Sequence, residues 1–161
     1  MTPAALFRQH FQIAYVVRDM HSAIARFRDS FAIPQWHIMD RIKANGPASE
    51  VRYLAMAYAK DVMIELIEAN EARDSIYAHW IKDAAAGMRL HHLGFLAHSE
   101  TEWSDAVEAL KANGIPIAQS NTQGEFANFL YADTVSDLGH FCEYIYLKPV
   151  GLKLFASIPH N

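Results

Sequence analysis

A repeat constrains this chain more than any other feature of its sequence. Residues 11–17, FQIAYVV, alternate as a strand does, and DMHSAIARFRDSF (19–31) then sets Met20, Ile24, Phe27 and Phe31 at helical spacing behind Asp19, a good N-cap residue. PQWHIMDRI, EVRYLAMAYA and DVMIELIE follow as three strands, with a turn at Gly46 and Pro47 between the first two. The second half runs through the same order. LHHLGFLA reads as a strand, and SETEWSDAVEALKANG as a helix opened by the capping box of Ser99 and Glu102 and stopped by Gly114. IPIAQSN, EFANFLYAD and HFCEYIYL are three more strands, and each helix is followed by an Ile-Pro pair, Ile33 with Pro34 and Ile115 with Pro116. The duplication outweighs any single propensity and predicts an α+β fold of two βαβββ modules in one domain over residues 1–161. Module one covers about 10–70 and module two about 89–148, with a connecting helix over about 74–87 and a C-terminal tail over 149–161.

The repeat also sets the register of the polar residues. In RLHHLGFLAHS (89–99) adjacent strand residues point to opposite faces, so only one of His91 and His92 faces the side of Gly94 and Leu96. Gln12 stands seven residues before Asp19, and seven before Ser99 is His92. His92 is therefore the inward member, and Gln12 is its repeat partner. The last strand of each module carries a carboxylate between apolar same-face neighbours: Glu65 between Met63 and Ile67, Glu143 between Phe141 and Ile145. Buried carboxylates are costly unless paired or bound to a metal, so two at repeat-related positions ask for a common cation. His10 shares the face of Gln12 and is the alternative ligand there. His91 and His140 are expected on the outer face, His37 and His79 have no evident partner, and Trp36 and Trp80 either line a pocket or belong to the core.

Composition narrows the function classes. With 52% hydrophobic and 20% charged residues the chain matches a soluble globular protein, and no apolar run approaches the ~20 residues a membrane span requires. MTPAALFRQHFQ lacks the basic and apolar segments of a signal peptide, so the cytoplasm is the expected compartment. The single cysteine, Cys142, excludes an internal disulfide and a Cys-rich zinc site, leaving His, carboxylates and amides to hold any metal. A net charge of −4 with scattered Lys and Arg argues against a nucleic-acid surface and for a small molecule or a second copy of the chain as partner.

The paired modules, with QIAYVVRDM and HHLGFL opening them and IEL and CEYI closing them, resemble the vicinal oxygen chelate superfamily over about residues 10–148. This superfamily includes glyoxalase I and methylmalonyl-CoA epimerase. The resemblance implies that the modules form a half-open curved mixed β-sheet barrel, commonly completed in a homodimer, and that four inward side chains hold a divalent metal. The ligand order Gln, Glu, His, Glu resembles that of zinc-type glyoxalase I and falls on Gln12, Glu65, His92 and Glu143. Two departures remove support for a glutathione substrate: Ala69 stands where that enzyme has a glutathione-holding Asn, and DTVSDLG replaces its DPDG-type turn.

One imidazole, one amide and two carboxylates suit zinc, nickel, cobalt, manganese or iron(II), with positions left for two adjacent substrate oxygens. Two carboxylates neutralise the ion, which favours polarising a carbonyl over making hydroxide. The expected reaction takes a proton from the carbon beside a carbonyl, with the metal stabilising the enolate, in an isomerase or lyase. The resemblance gives Glu143 the role of base and sets Glu65 on the opposite face of the substrate. Other superfamily members are extradiol-type dioxygenases with two His and one Glu, and non-catalytic antibiotic-binding proteins. Gln12 in place of a first His counts against the dioxygenase unless His10 substitutes.

Overall fold

The computed structural model describes residues 7–161, and the first six residues of MTPAALFRQHFQ, over which no signal peptide is read, lie outside the described residues. The described residues divide into two compact units, one of Ile13–His91 with Ile158–Asn161, the other of residues 7–12 with His92–Ser157. Strands β1 (His10–Val17) and β5 (Met88–Ala97) each pass through a division point, at Gln12 and at His92.

In the Ile13–His91 unit the strands β2 (His37–Asp40), β3 (Val51–Ala59) and β4 (Val62–Ala69) lie with β1 in the order β2-β3-β4-β1. Helix α1 (Met20–Phe31) begins where Asp19 accepts a hydrogen bond from the Ser22 N–H at 2.7 Å. Its Met20, Ala23 and Phe27 pack on Val17, Ala55, Ala57, Ile64 and Leu66. Strand β4 is buried on both faces, and Glu65 and Glu68, three residues apart, point to opposite sides of it. Glu68, on the helix side, accepts the Met20 N–H at 2.7 Å and stands 3.4 Å from Arg52, which satisfies its charge at the positive end of α1. The C-terminus is tied down by Tyr58, whose N–H donates to the Pro159 carbonyl, whose carbonyl accepts from the Asn161 N–H, and whose ring stacks on His160.

Three segments differ from the sequence expectation. PQWHIMDRI supplies only the four-residue β2, because the Asp40 side chain accepts from the Lys43 N–H and starts the short helix α2 (Arg41–Asn45). The connecting helix is α3 (Ile76–Ile81), capped by Ser75; Arg18 donates to the Ile81 carbonyl at its end, and the chain turns on to Gly87. His91 lies on no open face: it is fully buried, with its ring 5.1 Å from Tyr77 and 5.7 Å from Trp80 of α3.

In the His92–Ser157 unit the strands β6 (Ile117–Gln123), β7 (Ala127–Ala132) and β8 (Phe141–Leu147) lie with β5 in the order β5-β8-β7-β6, the β5–β8 pair being parallel. The start of the chain joins β5 through the Leu96 N–H, which donates to the Gln9 carbonyl. Helix α4 (Glu100–Ala112) opens on Ser99, which accepts from the Glu102 N–H, while Glu102 reaches back to the His98 N–H. Its Ala106 and Leu110 pack on Phe95, Leu130, Ala132, Cys142 and Tyr144. DTVSDLG forms the short helix α5 (Val135–Leu138). The expected tail begins as helix α6 (Pro149–Ala156), whose Phe155 ring meets those of Phe11 and Phe126. The βαβββ order recurs in both halves, as the repeat predicts. No helix among the described residues is long and apolar enough to cross a membrane.

The Asp19 cap yields a stability prediction. Hydrogen bonds from the Ser22 side chain and N–H hold the Asp19 carboxyl below the usual carboxylate range. A depressed folded-state pKa contributes stability above the unfolded value of about 3.9, and that contribution is lost as pH falls through the folded value. Asp19→Ala is expected to cost about 1 kcal/mol in urea unfolding at pH 7, Asp19→Asn much less, and the Ala penalty is expected to vanish in acid.

Candidate metal centre

In the His92–Ser157 unit, strand parity sets His92, Gly94 and Leu96 on one face of β5, and Phe141, Glu143 and Ile145 on one face of β8. The parallel register puts His92 beside Phe141 and Gly94 beside Glu143. Across the next pairing, Tyr131 of β7 stands directly opposite Glu143. From the other side, the first residues of β1 bring in Gln12.

These side chains meet at one nitrogen. His92 Nε2 lies 3.2 Å from Gln12 Oε1 and 3.3 Å from Glu143 Oε2. The Tyr131 ring lies 5.0 Å from the imidazole, tilted by 51°, and walls the cluster. His92 is fully buried, Gln12 is 2% exposed and Glu143 6%. In the tautomer protonated at Nε2 the ring donates toward these oxygens, and in the other tautomer Nε2 carries a lone pair as they do. A cation would satisfy the nitrogen and both oxygens, because each carries a lone pair.

The position of Gln12 depends on what Gly94 lacks. A Cβ at Gly94 would stand 2.6 Å from Gln12 Oε1 and 2.9 Å from Gln12 Cβ, so the amide occupies a cradle that any other residue would fill. With one imidazole nitrogen, one amide oxygen and one carboxylate oxygen, this donor set fits a divalent ion of the zinc, nickel, cobalt, manganese or iron(II) kind. Among the described residues no three His, Cys, Asp or Glu side chains come together to hold a metal.

Of the residues nominated from sequence, Gln12, His92 and Glu143 are brought together. Glu65 belongs to the Ile13–His91 unit, where it is buried on β4 opposite Met56. His10 is exposed and its ring lies 5.8 Å from Phe95, whereas Gln12 of the same strand reaches His92. His79 pairs with Asp74 at the surface, His140 contacts the Phe141 carbonyl, and Trp36 packs on Phe27 in the core. Two residues escaped the sequence reading. Tyr131 required the β7–β8 register, which the repeat does not supply. Gly94 was visible as a small residue on the inner face, but its proximity to Gln12 required β1 to be placed beside β5.

With this geometry established, the family follows. The model of the glyoxalase/bleomycin resistance protein/dioxygenase superfamily matches residues 11–132. The chain belongs to this superfamily. Among solved structures the superfamily fold is shared with methylmalonyl-CoA epimerase from Mycobacterium tuberculosis, at 15% identity and a TM-score of 0.68 over 98% of this chain and 97% of that one. A hypothetical protein from Bacillus halodurans C-125 matches at 19% identity and a TM-score of 0.67, over 86% of this chain and 94% of that one. A methylmalonyl-CoA epimerase in complex with methylmalonyl-CoA and NH4+ matches at 15% identity and a TM-score of 0.64, over 88% and 96%. A search of curated protein sequences finds no match. Family membership makes the two adjacent histidines a direct test of the site. His92→Ala is expected to abolish binding of added cobalt or zinc in calorimetry. His91→Ala is expected to leave it within about twofold while lowering stability by roughly 2–5 kcal/mol, the range for truncating a large buried side chain to alanine.

Proposed function

We propose that the chain is a divalent-metal-dependent isomerase or lyase of the glyoxalase/epimerase type. It acts on a small substrate with two neighbouring oxygens by taking a proton from the carbon beside a carbonyl, and it works as a homodimer. The observation that carries this reading is the convergence of Gln12 Oε1 and Glu143 Oε2 on His92 Nε2 in a buried space. Structural likeness to methylmalonyl-CoA epimerases supports the reaction class.

A divalent cation held by Gln12, His92 and Glu143 would polarise the substrate carbonyl and lower the cost of the charge that develops on its oxygen. Gln12 contributes a neutral oxygen and His92 a neutral nitrogen, so neither competes for the proton in transfer. The Glu143 carboxylate is the base of the set: it is the one carboxylate beside His92 Nε2, it is 6% exposed, and it stands opposite Tyr131 across the β7–β8 pairing. Tyr131 packs against the imidazole and fixes its plane, which keeps Nε2 directed at the two oxygens. Glu65 is proposed as a further donor from its repeat spacing and the family's ligand order, and the resemblance sets it on the opposite face of the substrate.

The test follows the proton. Cation-loaded protein in deuterated water is expected to exchange the hydrogen beside the carbonyl in at least one member of a panel of 2-hydroxy ketones, thiohemiacetals and acyl-CoA thioesters, as read by NMR. Glu143→Gln keeps an oxygen donor of similar size and is expected to slow that exchange by about 10²- to 10⁴-fold, the usual cost of removing a general base. If no panel member exchanges, and Glu143→Gln binds one of them as well as wild type does, the protein is a binding module rather than an enzyme.

A further inference from the structure

The sequence has seven glycines, and five of them have positive φ, where the backbone itself calls for glycine. Gly94 is not among those five. It lies inside β5, where alanine would be conformationally acceptable and where glycine costs about 0.5–1 kcal/mol in backbone freedom relative to alanine. What glycine gives at this position is room. A Cβ there would stand 2.6 Å from Gln12 Oε1, 2.9 Å from Gln12 Cβ and 3.2 Å from Phe11 Cε1. The first two distances are shorter than side-chain carbons tolerate, and both involve the same residue. On its other side Gly94 pairs with Glu143. The missing side chain thus lies between two of the groups that meet at His92.

We propose that Gly94 is a positioning residue for the site: its bare Cα lets the Gln12 side chain lie across β5 so that Oε1 arrives at His92 Nε2. This rests on the reading of Gln12, His92 and Glu143 as a donor set. A methyl group at residue 94 would meet Gln12 before any other residue. It would displace the Gln12 amide, and because Gln12 Cβ is also crowded, a change of side-chain rotamer alone could not restore the contact; β1 would have to move away from β5 locally. The predicted defect is therefore specific. One of the three donors is lost, and the His92–Glu143 contact remains.

The experiment uses Gly94→Ala in wild-type and Gln12→Gly backgrounds, since the second background removes both crowded atoms. In the metal-free protein, side-chain NMR of Gly94→Ala is expected to show shifted Gln12 amide and His92 imidazole signals, with the signals of β6 and α4 unchanged. Titration with cobalt(II) is expected to show an affinity lower by about 10- to 100-fold, the usual effect of losing a group that orients a ligand, and an altered cobalt absorption spectrum. In the Gln12→Gly background, adding Gly94→Ala is expected to change neither affinity nor spectrum. Equal losses in both backgrounds, or unchanged Gln12 and His92 signals in Gly94→Ala, would overturn the proposal. If Gly94→Ala alone does not fold, recovery of the folded state by Gln12→Gly supports it, and failure of both variants to fold overturns it. If wild-type protein binds no cobalt, the donor-set reading fails, while the metal-free NMR comparison still decides whether Gly94 seats Gln12.

Discussion

Two side-chain oxygens and one ring nitrogen converge where all three residues are buried, and that convergence is the interaction on which the rest of the site depends. The fully buried His92 holds Nε2 3.2 Å from Gln12 Oε1 and 3.3 Å from Glu143 Oε2. An apolar set of side chains would fill this space at lower cost. We read the polar cluster as a donor set for a divalent ion.

The surrounding architecture supplies that cluster with rigid supports. β5 and β8 run parallel and in register, which fixes His92 relative to Glu143 through backbone hydrogen bonds rather than through flexible side chains. Behind β8, Cys142 and Tyr144 face the helix side and pack with Phe95, Ala106 and Leu110, so the strand cannot rotate without breaking a core. Burial pushes the Cys142 thiol up in pKa, which keeps it a neutral core residue beside the site. Tyr131 and Gly94 act in opposite senses, one filling the space against the imidazole and the other leaving space for the amide.

Much of this was legible in the sequence because the repeat carries its own register. The seven-residue offset between a polar strand residue and a helix cap, seen at Gln12–Asp19 and at His92–Ser99, selected His92 over His91 without any contact information. Both caps form as their sequence signature requires, at Asp19 and Ser99. What a repeat cannot convey is pairing between strands distant in sequence. The position of Tyr131 opposite Glu143, and of Gly94 beneath Gln12, follows from β7–β8 and β1–β5 alignment alone. Exposure was misread for His91 for a related reason. Alternation tells which face a residue takes but not whether that face is covered, and here Tyr77 and Trp80 of α3 cover it. Similarly, MIELIEAN contains two buried carboxylates; parity separates Glu65 from Glu68, but only the structure shows that Glu68 is spent on the Met20 N–H and Arg52.

The most direct measurement is X-ray absorption at the cobalt edge of cobalt-loaded protein, because it counts imidazole scatterers in the first coordination shell without any knowledge of the substrate. The expected spectrum shows a single imidazole among oxygen donors, and the imidazole scattering disappears in His92→Ala. Two or more imidazoles, or a spectrum unchanged in His92→Ala, would contradict the assignment of Gln12, His92 and Glu143 as the metal-binding set.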